Sequence, residues 1–200
     1  MRRTVILAGI VAAILLTPSA RSQKIWPWWV AGELGEGQLK LSSDQVQGRL
    51  DSTFALGFAG GHQLGTRARA GLHVNGWLLQ AFSLNDPTVG ESVSTVMGVV
   101  DVYPLRNWNR LFLRGGLGRA TYTVNDKYQV GGSGAAWESG AGFEIPLRGG
   151  VSLAPTVAYS AGRLGDVHIP AASQTGRRYS VVEFKIAALW HFGRPRQIGQ

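Results

Sequence analysis

Residues 179–192 read YSVVEFKIAALWHF, and this segment decides between two folds. From Val182 onward every second residue is apolar, whereas the intervening positions include Glu183 and Lys185. Side chains alternate between the two faces of a β-strand, so the segment predicts a strand with one apolar and one charged face. In a soluble sandwich or barrel the apolar face would point to the core. In a transmembrane barrel the alternation is inverted, with apolar side chains toward lipid and charged ones toward the lumen.

The composition of the 200-residue chain favours an all-β fold. Its 28 glycines would weaken helices, and a hydrophobic fraction of 44% suits a barrel that is apolar only at alternate positions. The absence of cysteine excludes disulfides, thiolate metal sites and a lipid-modified N-terminal cysteine. The net charge is +8, but the arginines are scattered rather than grouped with aromatic residues, so nucleic acid is not predicted as a partner.

The N-terminus has the features of an export signal. Arg2 and Arg3 precede an apolar run at residues 5–16, and small residues with a proline follow it. Cleavage after Ser22 or after Ala20 fits these residues. The run is shorter than the roughly 20 residues that span a bilayer, which disfavours the alternative of an uncleaved anchor. We therefore predict a signal peptide at residues 1–22, a barrel at 23–192 and a short tail at 193–200.

Eight segments carry the pattern of β-strands: 29–41, 53–60, 67–82, 94–103, 111–124, 135–145, 151–162 and 179–192. An even number of antiparallel strands can close on itself and remove the exposed edges of an open sheet. Three predicted connections are short, at 61–66, 104–110 and 146–150. The other four are generally longer, at 42–52, 83–93, 125–134 and 164–178. Such sorting is typical of outer-membrane barrels, whose short turns face the periplasm.

Aromatic residues occur near both ends of the predicted barrel. Trp28 and Trp29 lie at the start of the first strand, and Trp190 and Phe192 lie at the end of the last one. Because indole rings favour the membrane–water interface, we predict a periplasmic-side girdle from these four residues. Packing in a soluble core is the alternative for the N-terminal cluster.

If the apolar faces contact lipid, the opposite faces bring nine ionisable residues into the lumen. An eight-stranded barrel is just wide enough for side chains to fill it. The predicted network has five acids, three permanent cations and one histidine: Glu33, Arg69, His73, Asp101, Arg114, Glu138, Glu144, Glu183 and Lys185. Because His73 can titrate near neutral pH, a proton or ion path is the functional alternative to a structural network. Arg119 does not fit the pattern, since it falls on the apolar face of its strand.

No catalytic site, metal site or cofactor is predicted. None of the four histidines (62, 73, 168 and 191) is followed two residues later by a serine, and no G-x-S-x-G motif occurs. Outer-membrane lipid A deacylases have a His-x-Ser pair, whereas here Asn75 follows His73 and Gly193 follows His191 at that spacing. Clustered histidines or acids at the spacing of a metal site are also absent.

Two segments carry a family resemblance: residues 99–104 (VVDVYP) and 111–118 (LFLRGGLG). With the alternating last strand ending in Trp190 and Phe192, the chain resembles the small outer-membrane β-barrels of the OmpA-like and opacity-like family. This resemblance implies an eight-stranded antiparallel up-and-down transmembrane β-barrel in the outer membrane of a Gram-negative bacterium. It also implies contact with outer-membrane lipid and recognition of the last strand by the assembly machinery. The tail after Phe192 departs from the family pattern, which usually ends on the aromatic residue.

The sequence therefore predicts a non-enzymatic outer-membrane barrel with a filled polar lumen and a structural or surface-contact role. Its extracellular partner is not identified by any motif. The alternative is a soluble periplasmic or secreted lipocalin-like barrel that binds a small apolar ligand. A third alternative, an outer-membrane lipid-modifying enzyme, lacks a nucleophile that can be named.

Overall fold

A computed structural model describes residues 24–44, 48–78, 90–105, 110–125, 130–169 and 172–197. Eight long strands account for most of them. We number them β1 (Trp28–Ser42), β2 (Arg49–Gln63), β3 (Ala68–Leu78), β4 (Gly90–Val102), β5 (Leu111–Asn125), β6 (Val130–Phe143), β7 (Val151–Ile169) and β8 (Ala172–Phe192). The predicted signal peptide, residues 1–22, lies outside the described residues.

The strands form a closed antiparallel barrel in chain order, because β8 pairs with the whole length of β1. The cross-strand register has a stagger that measures the tilt of the strands. Starting from Glu36 on β1, paired residues lead in one direction through Phe54 to Leu78 on β3. In the other direction around the barrel they lead to Ala68 on β3, through Phe184, Val157, Ala141, Leu113 and Val102. The two end points are ten residues apart on the same strand. A stagger of this kind is what closure of tilted strands requires.

The two ends of the barrel differ. At one end, which we call the turn end, lie residues 64–67, 103–105 and 144–150 and the first residues of β1. There the two-residue strand Lys24–Ile25 pairs with Arg196–Gln197, so part of the predicted tail joins a small second sheet. At the opposite end, the loop end, β1, β3, β5 and β7 end and β2, β4, β6 and β8 begin. The short strand Ile145–Pro146 pairs with β7 at the turn end.

The strands at the loop end are longer than predicted. Residues 164–178 were expected to form a loop, but β7 continues to Ile169 and β8 begins at Ala172. Most of 125–134 is likewise strand, because β5 ends at Asn125 and β6 begins at Val130. The apolar alternation stops where a strand leaves the membrane, while the backbone hydrogen bonds continue. Strand pattern therefore underestimates strand length there.

The alternation predicted for residues 179–192 is inverted relative to a soluble barrel. Ile186 is 51% exposed on the outside, whereas the neighbouring Lys185 is 0% exposed in the lumen. Large apolar side chains face outward on all eight strands, in the opposite arrangement to the one that the soluble alternative requires. Among the described residues, no helix is long and apolar enough to cross a membrane.

One of the four predicted girdle residues is in a different place. Trp28, Trp190 and Phe192 lie on the outside of the turn end, as a girdle requires. Trp29 is only 1% exposed, against 50% for Trp28, because it shares the inward face of β1 with Ala31. The prediction that Trp29 faces the membrane interface is therefore wrong.

Candidate functional site

The nine ionisable residues predicted for the lumen all lie on the inner side of the barrel. Eight are buried, and Glu144 is partly buried at the turn end. They form one network that extends from the turn end to the middle of the barrel. Ion pairs and hydrogen bonds connect residues from six strands or their ends.

Two arginines share one aspartate on neighbouring strands. Arg69 and Arg114 lie opposite Asp101 in the registers of β3–β4 and β4–β5. The Nε of Arg69 is 2.7 Å from Asp101 Oδ2, and the Nε of Arg114 is 2.8 Å from Oδ1. Arg114 also donates through Nη1 to Glu33 Oε1 at 3.0 Å. Both carboxylate oxygens of Asp101 are thus engaged by charged donors, which are the stronger kind of hydrogen bond.

Glu33 connects the arginines to the middle of the barrel. Its Oε1 accepts from Arg114, while its Oε2 is 2.8 Å from Lys185 Nζ and 3.3 Å from His73 Nε2. Gly35 lies opposite Lys185 in the β1–β8 register. A Cβ added to Gly35 would be 2.7 Å from Lys185 Cγ, so glycine provides the space for the lysine stem.

His73 lies between two carboxylates. Its Nδ1 is 3.2 Å from Glu138 Oε2, and its Nε2 is 3.3 Å from Glu33 Oε2. Both contacts are short enough for ion pairs, but neither has the geometry of a hydrogen bond. A neutral imidazole has only one N–H, so two carboxylate partners match the doubly protonated form. Gly57 leaves room here, since a Cβ on it would be 3.3 Å from His73 Nε2.

Glu183 ends the charged network on the loop-end side. Its carboxylate is 2.8 Å from Lys185 Nζ and accepts hydrogen bonds from Asn75 Nδ2 at 3.1 Å and Trp77 Nε1 at 2.8 Å. Asn75 and Trp77 are consecutive inward-facing residues of β3, two positions apart in the chain. A buried carboxylate is tolerable when its oxygens are satisfied in this way.

At the turn end, Glu144 joins the network to an aromatic layer. Its Oε1 accepts from Arg69 Nη1 and from the hydroxyl of Tyr103, both at 2.5 Å. Burial favours the neutral carboxyl, but the Arg69 charge, the nearby His191 and the hydrogen bond from Tyr103 outweigh it and lower the pKa of Glu144 to about 2. The Arg69 guanidinium also lies 4.5 Å from the centroid of the Trp29 ring. The inward position of Trp29 thus has a cation–π partner.

The loop-end half of the lumen is apolar. Its buried side chains include Leu39, Trp77, Val93, Met97, Tyr122, Leu164, Tyr179 and Val181, which pack together as one cluster. We call this cluster the apolar plug. Trp77 and Tyr179 face each other with ring centroids 5.7 Å apart, and the Tyr179 hydroxyl is 2.9 Å from Ser160 Oγ. Charge does not identify these residues in the sequence, and only their position on the inward face of each strand distinguishes them from lipid-facing ones.

A small polar group covers the apolar plug at the mouth of the barrel. Tyr122 donates a hydrogen bond to Glu91, and the Arg177 guanidinium lies 4.3 Å from the Tyr122 ring centroid. Both Glu91 and Arg177 were expected in loops, but they lie on β4 and β8. The lumen therefore has a charged layer between an aromatic layer at the turn end and the apolar plug.

Three histidines lie against carboxylates or an aromatic ring. His191 Nε2 is 3.7 Å from Glu144 Oε2, His73 lies between Glu33 and Glu138, and His62 contacts the edge of Trp28. Among the residues that the structure describes, no group of three or more side chains is arranged to hold a metal ion. The cationic side chains of Arg114 and Lys185 occupy the places next to the carboxylates.

The chain is similar in structure to solved outer-membrane proteins. Neisserial surface protein A superposes with a TM-score of 0.55 at 12% identity, covering 82% of this chain and 97% of that one. Ail of Yersinia pestis superposes with a TM-score of 0.48 at 10% identity, covering 83% of this chain and all of the other. No protein-family model matches the sequence, and no curated protein matches it either. The chain thus has the fold of the small outer-membrane β-barrels, and its apolar exterior fits that location.

Proposed function

We propose that this chain is a non-enzymatic barrel of the outer membrane with a closed lumen, which serves a structural or surface-contact role. This proposal rests on the order of the layers in the lumen: an aromatic layer at the turn end, then the charged layer, then the apolar plug. A polar path from the turn end ends at Glu183, because Trp77, Val93, Met97 and Tyr179 fill the next level. Ions crossing the barrel would have to displace buried apolar side chains.

The charged layer acts as a structural filling in this proposal. Each permanent cation has at least one carboxylate within ion-pair distance, so the layer needs no passing ion to balance it locally. Buried pairs of this kind contribute little net stability but specify which side chains meet, because breaking one leaves an uncompensated charge. The surface-contact role is assigned to the extended strands at the loop end, which project beyond the apolar exterior.

Current recordings on the full chain in planar bilayers test the closed lumen. We expect no steady conductance from the wild type. The double variant Trp77→Ser/Tyr179→Ser removes the two facing rings of the apolar plug and should produce ion currents. The matched control is Trp137→Ser/Tyr159→Ser, which removes an aromatic pair of similar geometry, 5.3 Å between centroids, from the outside of the barrel. Steady large conductance by the wild type would overturn the proposal.

The membrane placement has its own test, which the absence of cysteine makes simple. Single-cysteine variants Ile186→Cys and Ala187→Cys are assembled in membranes and exposed to a thiol reagent dissolved in the lipid phase. The outward Ile186→Cys should react, and the inward Ala187→Cys should be protected. Equal labelling, or recovery of the chain with soluble proteins, would contradict the placement. Turnover of phospholipid or lipid A by the folded protein would contradict the non-enzymatic assignment.

A further inference from the structure

Arg119, the residue that violates the strand pattern, belongs to a set of four cations that the described side chains place on the outside of the barrel near the loop end. The others are Lys40 on β1, Arg163 on β7 and Arg178 on β8, and all four are exposed. We call this set the basic rim. We infer that the basic rim binds the phosphate groups of lipid headgroups in the leaflet at the loop end.

The cross-strand register brings the cations together. Arg163 and Arg178 are direct partners in the β7–β8 pair. Lys40 pairs with Ser180, which is the next outward position on β8 after Arg178. On the other side, Arg119 pairs with the small Ala135 of β6. Strands β5, β7 and β8 thus each place an arginine on the same outer surface, with only β6 between β5 and β7.

Two like charges that face each other across a strand pair are destabilising unless an anion lies between or above them. Two carboxylates lie close to this pair. Asp44 is 3.5 Å from Arg178, with both side chains largely exposed, and the exposed Asp166 accepts a hydrogen bond from the backbone N–H of Gly176. Glu36 also faces outward on β1, two outward positions closer to the turn end than Lys40. Arg119 donates to Ser133 Oγ at 2.6 Å and keeps its charge uncompensated by that partner. The rim therefore has more positive than negative charge.

The height of the rim matches that of a headgroup layer. Lys40 follows the girdle residue Trp28 by twelve residues on β1, and Arg178 precedes Trp190 by twelve on β8. At about 3.3 Å per residue and a strand tilt of about 40°, this is about 30 Å along the barrel axis. An outer-membrane barrel has an apolar band about 25 Å tall between its aromatic girdles. The exposed pair Trp137 and Tyr159 lies on the outer surface just before Arg163, as a second girdle would.

Phosphate is the partner that fits these side chains best. Arginine forms paired, charge-assisted hydrogen bonds with phosphate oxygens, and the rim points sideways toward the leaflet rather than upward to solvent. A phosphate-bearing lipid can place its acyl chains on the apolar exterior below while its phosphate reaches the rim. This inference rests on the proposed membrane placement but not on the closed lumen.

Binding of fluorescent bisphosphorylated lipid A to the full chain in phosphatidylcholine nanodiscs tests the inference. The variant Arg163→Gln/Arg178→Gln should bind about 25-fold more weakly than wild type, because each cation near an anionic headgroup contributes about fivefold. The control variant Arg67→Gln/Arg148→Gln removes the same charge from exposed positions at the turn end and should change binding less than about twofold. Lipid A without its phosphates should bind the wild type at least as weakly as bisphosphorylated lipid A binds the rim variant, which keeps Lys40 and Arg119.

Three outcomes would overturn the inference. They are unchanged binding by the rim variant, an equal loss in the turn-end control, and tighter binding of a soluble polyanion such as heparin than of phosphorylated lipid. Heat-modifiable gel migration of each variant reports whether the barrel has folded in the same samples. A folded rim variant with normal lipid A binding thus refutes the inference and leaves the proposed function intact.

Discussion

The two halves of the lumen are filled in different ways. From the turn end to the middle, Arg69, Arg114 and Lys185 meet carboxylates from other strands, whereas the loop-end half packs Leu39, Trp77 and Met97 against one another. A charged layer specifies its partners, because each group needs an opposite charge at short range. An apolar layer specifies only volume and excludes water. Substitutions should therefore have larger and more pH-dependent effects in the charged half.

The largest effect is expected from Arg114→Met. Removing this guanidinium leaves Asp101 and Glu33 buried with one cation fewer, and breaking a buried ion pair costs about 3–5 kcal/mol. Arg148→Met, at an exposed turn-end position outside the lumen, should cost less than about 0.5 kcal/mol. Urea unfolding of the two variants in lipid vesicles measures the difference. Equal stability of the two variants would show that the charged half does not depend on its pairs.

The apolar plug is tested by Leu39→Ala. We expect a loss of about 3 kcal/mol, since a buried leucine leaves a cavity that its neighbours fill only partly. Leu34→Ala, on the outer face of the same strand, should cost about 1 kcal/mol, because lipid chains can occupy the vacated volume. The same unfolding experiment compares the two variants. A larger loss for Leu34→Ala would contradict the assignment of Leu39 to a packed interior.

These two layers were not equally predictable from the sequence. Polarity identified Glu33 and Lys185 as inward residues, because an ionised side chain has no place in lipid. Leu39 and Met97 carry no such signal, since lipid and a packed lumen accept the same apolar side chains. Strand position shows which face an apolar side chain lies on only once the register is known. Trp29, for example, shares the inward face with Ala31, two residues further on, although its indole ring suggested the membrane interface. The extension of β7 and β8 was missed for the opposite reason, because strands in water are polar on both faces.

A pH dependence is expected in the charged half through Glu144. Its folded-state pKa of about 2 lies below the ordinary value of 4.5, so its contribution is present above pH 4.5 and is lost as the pH falls toward 2. The loss should be about 2 kcal/mol, allowing for partial exposure of the carboxylate. The stability difference between wild type and Glu144→Gln should shrink over this interval. For Leu39→Ala the corresponding difference should stay constant, and a parallel decline in both variants would contradict the role of Glu144.

The smallest effect is expected from Tyr179→Phe, which tests whether the apolar plug also depends on a polar contact. The substitution removes only the hydroxyl that contacts Ser160 Oγ, and a typical net hydrogen bond contributes about 1 kcal/mol. Ser160 would not be left without a partner, because its hydroxyl also donates to the Trp137 carbonyl at 3.2 Å. Tyr159→Phe, on the outside of the neighbouring strand, serves as the control and should change unfolding by less than about 0.5 kcal/mol. If Tyr179→Phe instead costs as much as Arg114→Met, the loop-end half depends on specific polar pairing as strongly as the charged half, and the distinction between the two layers fails.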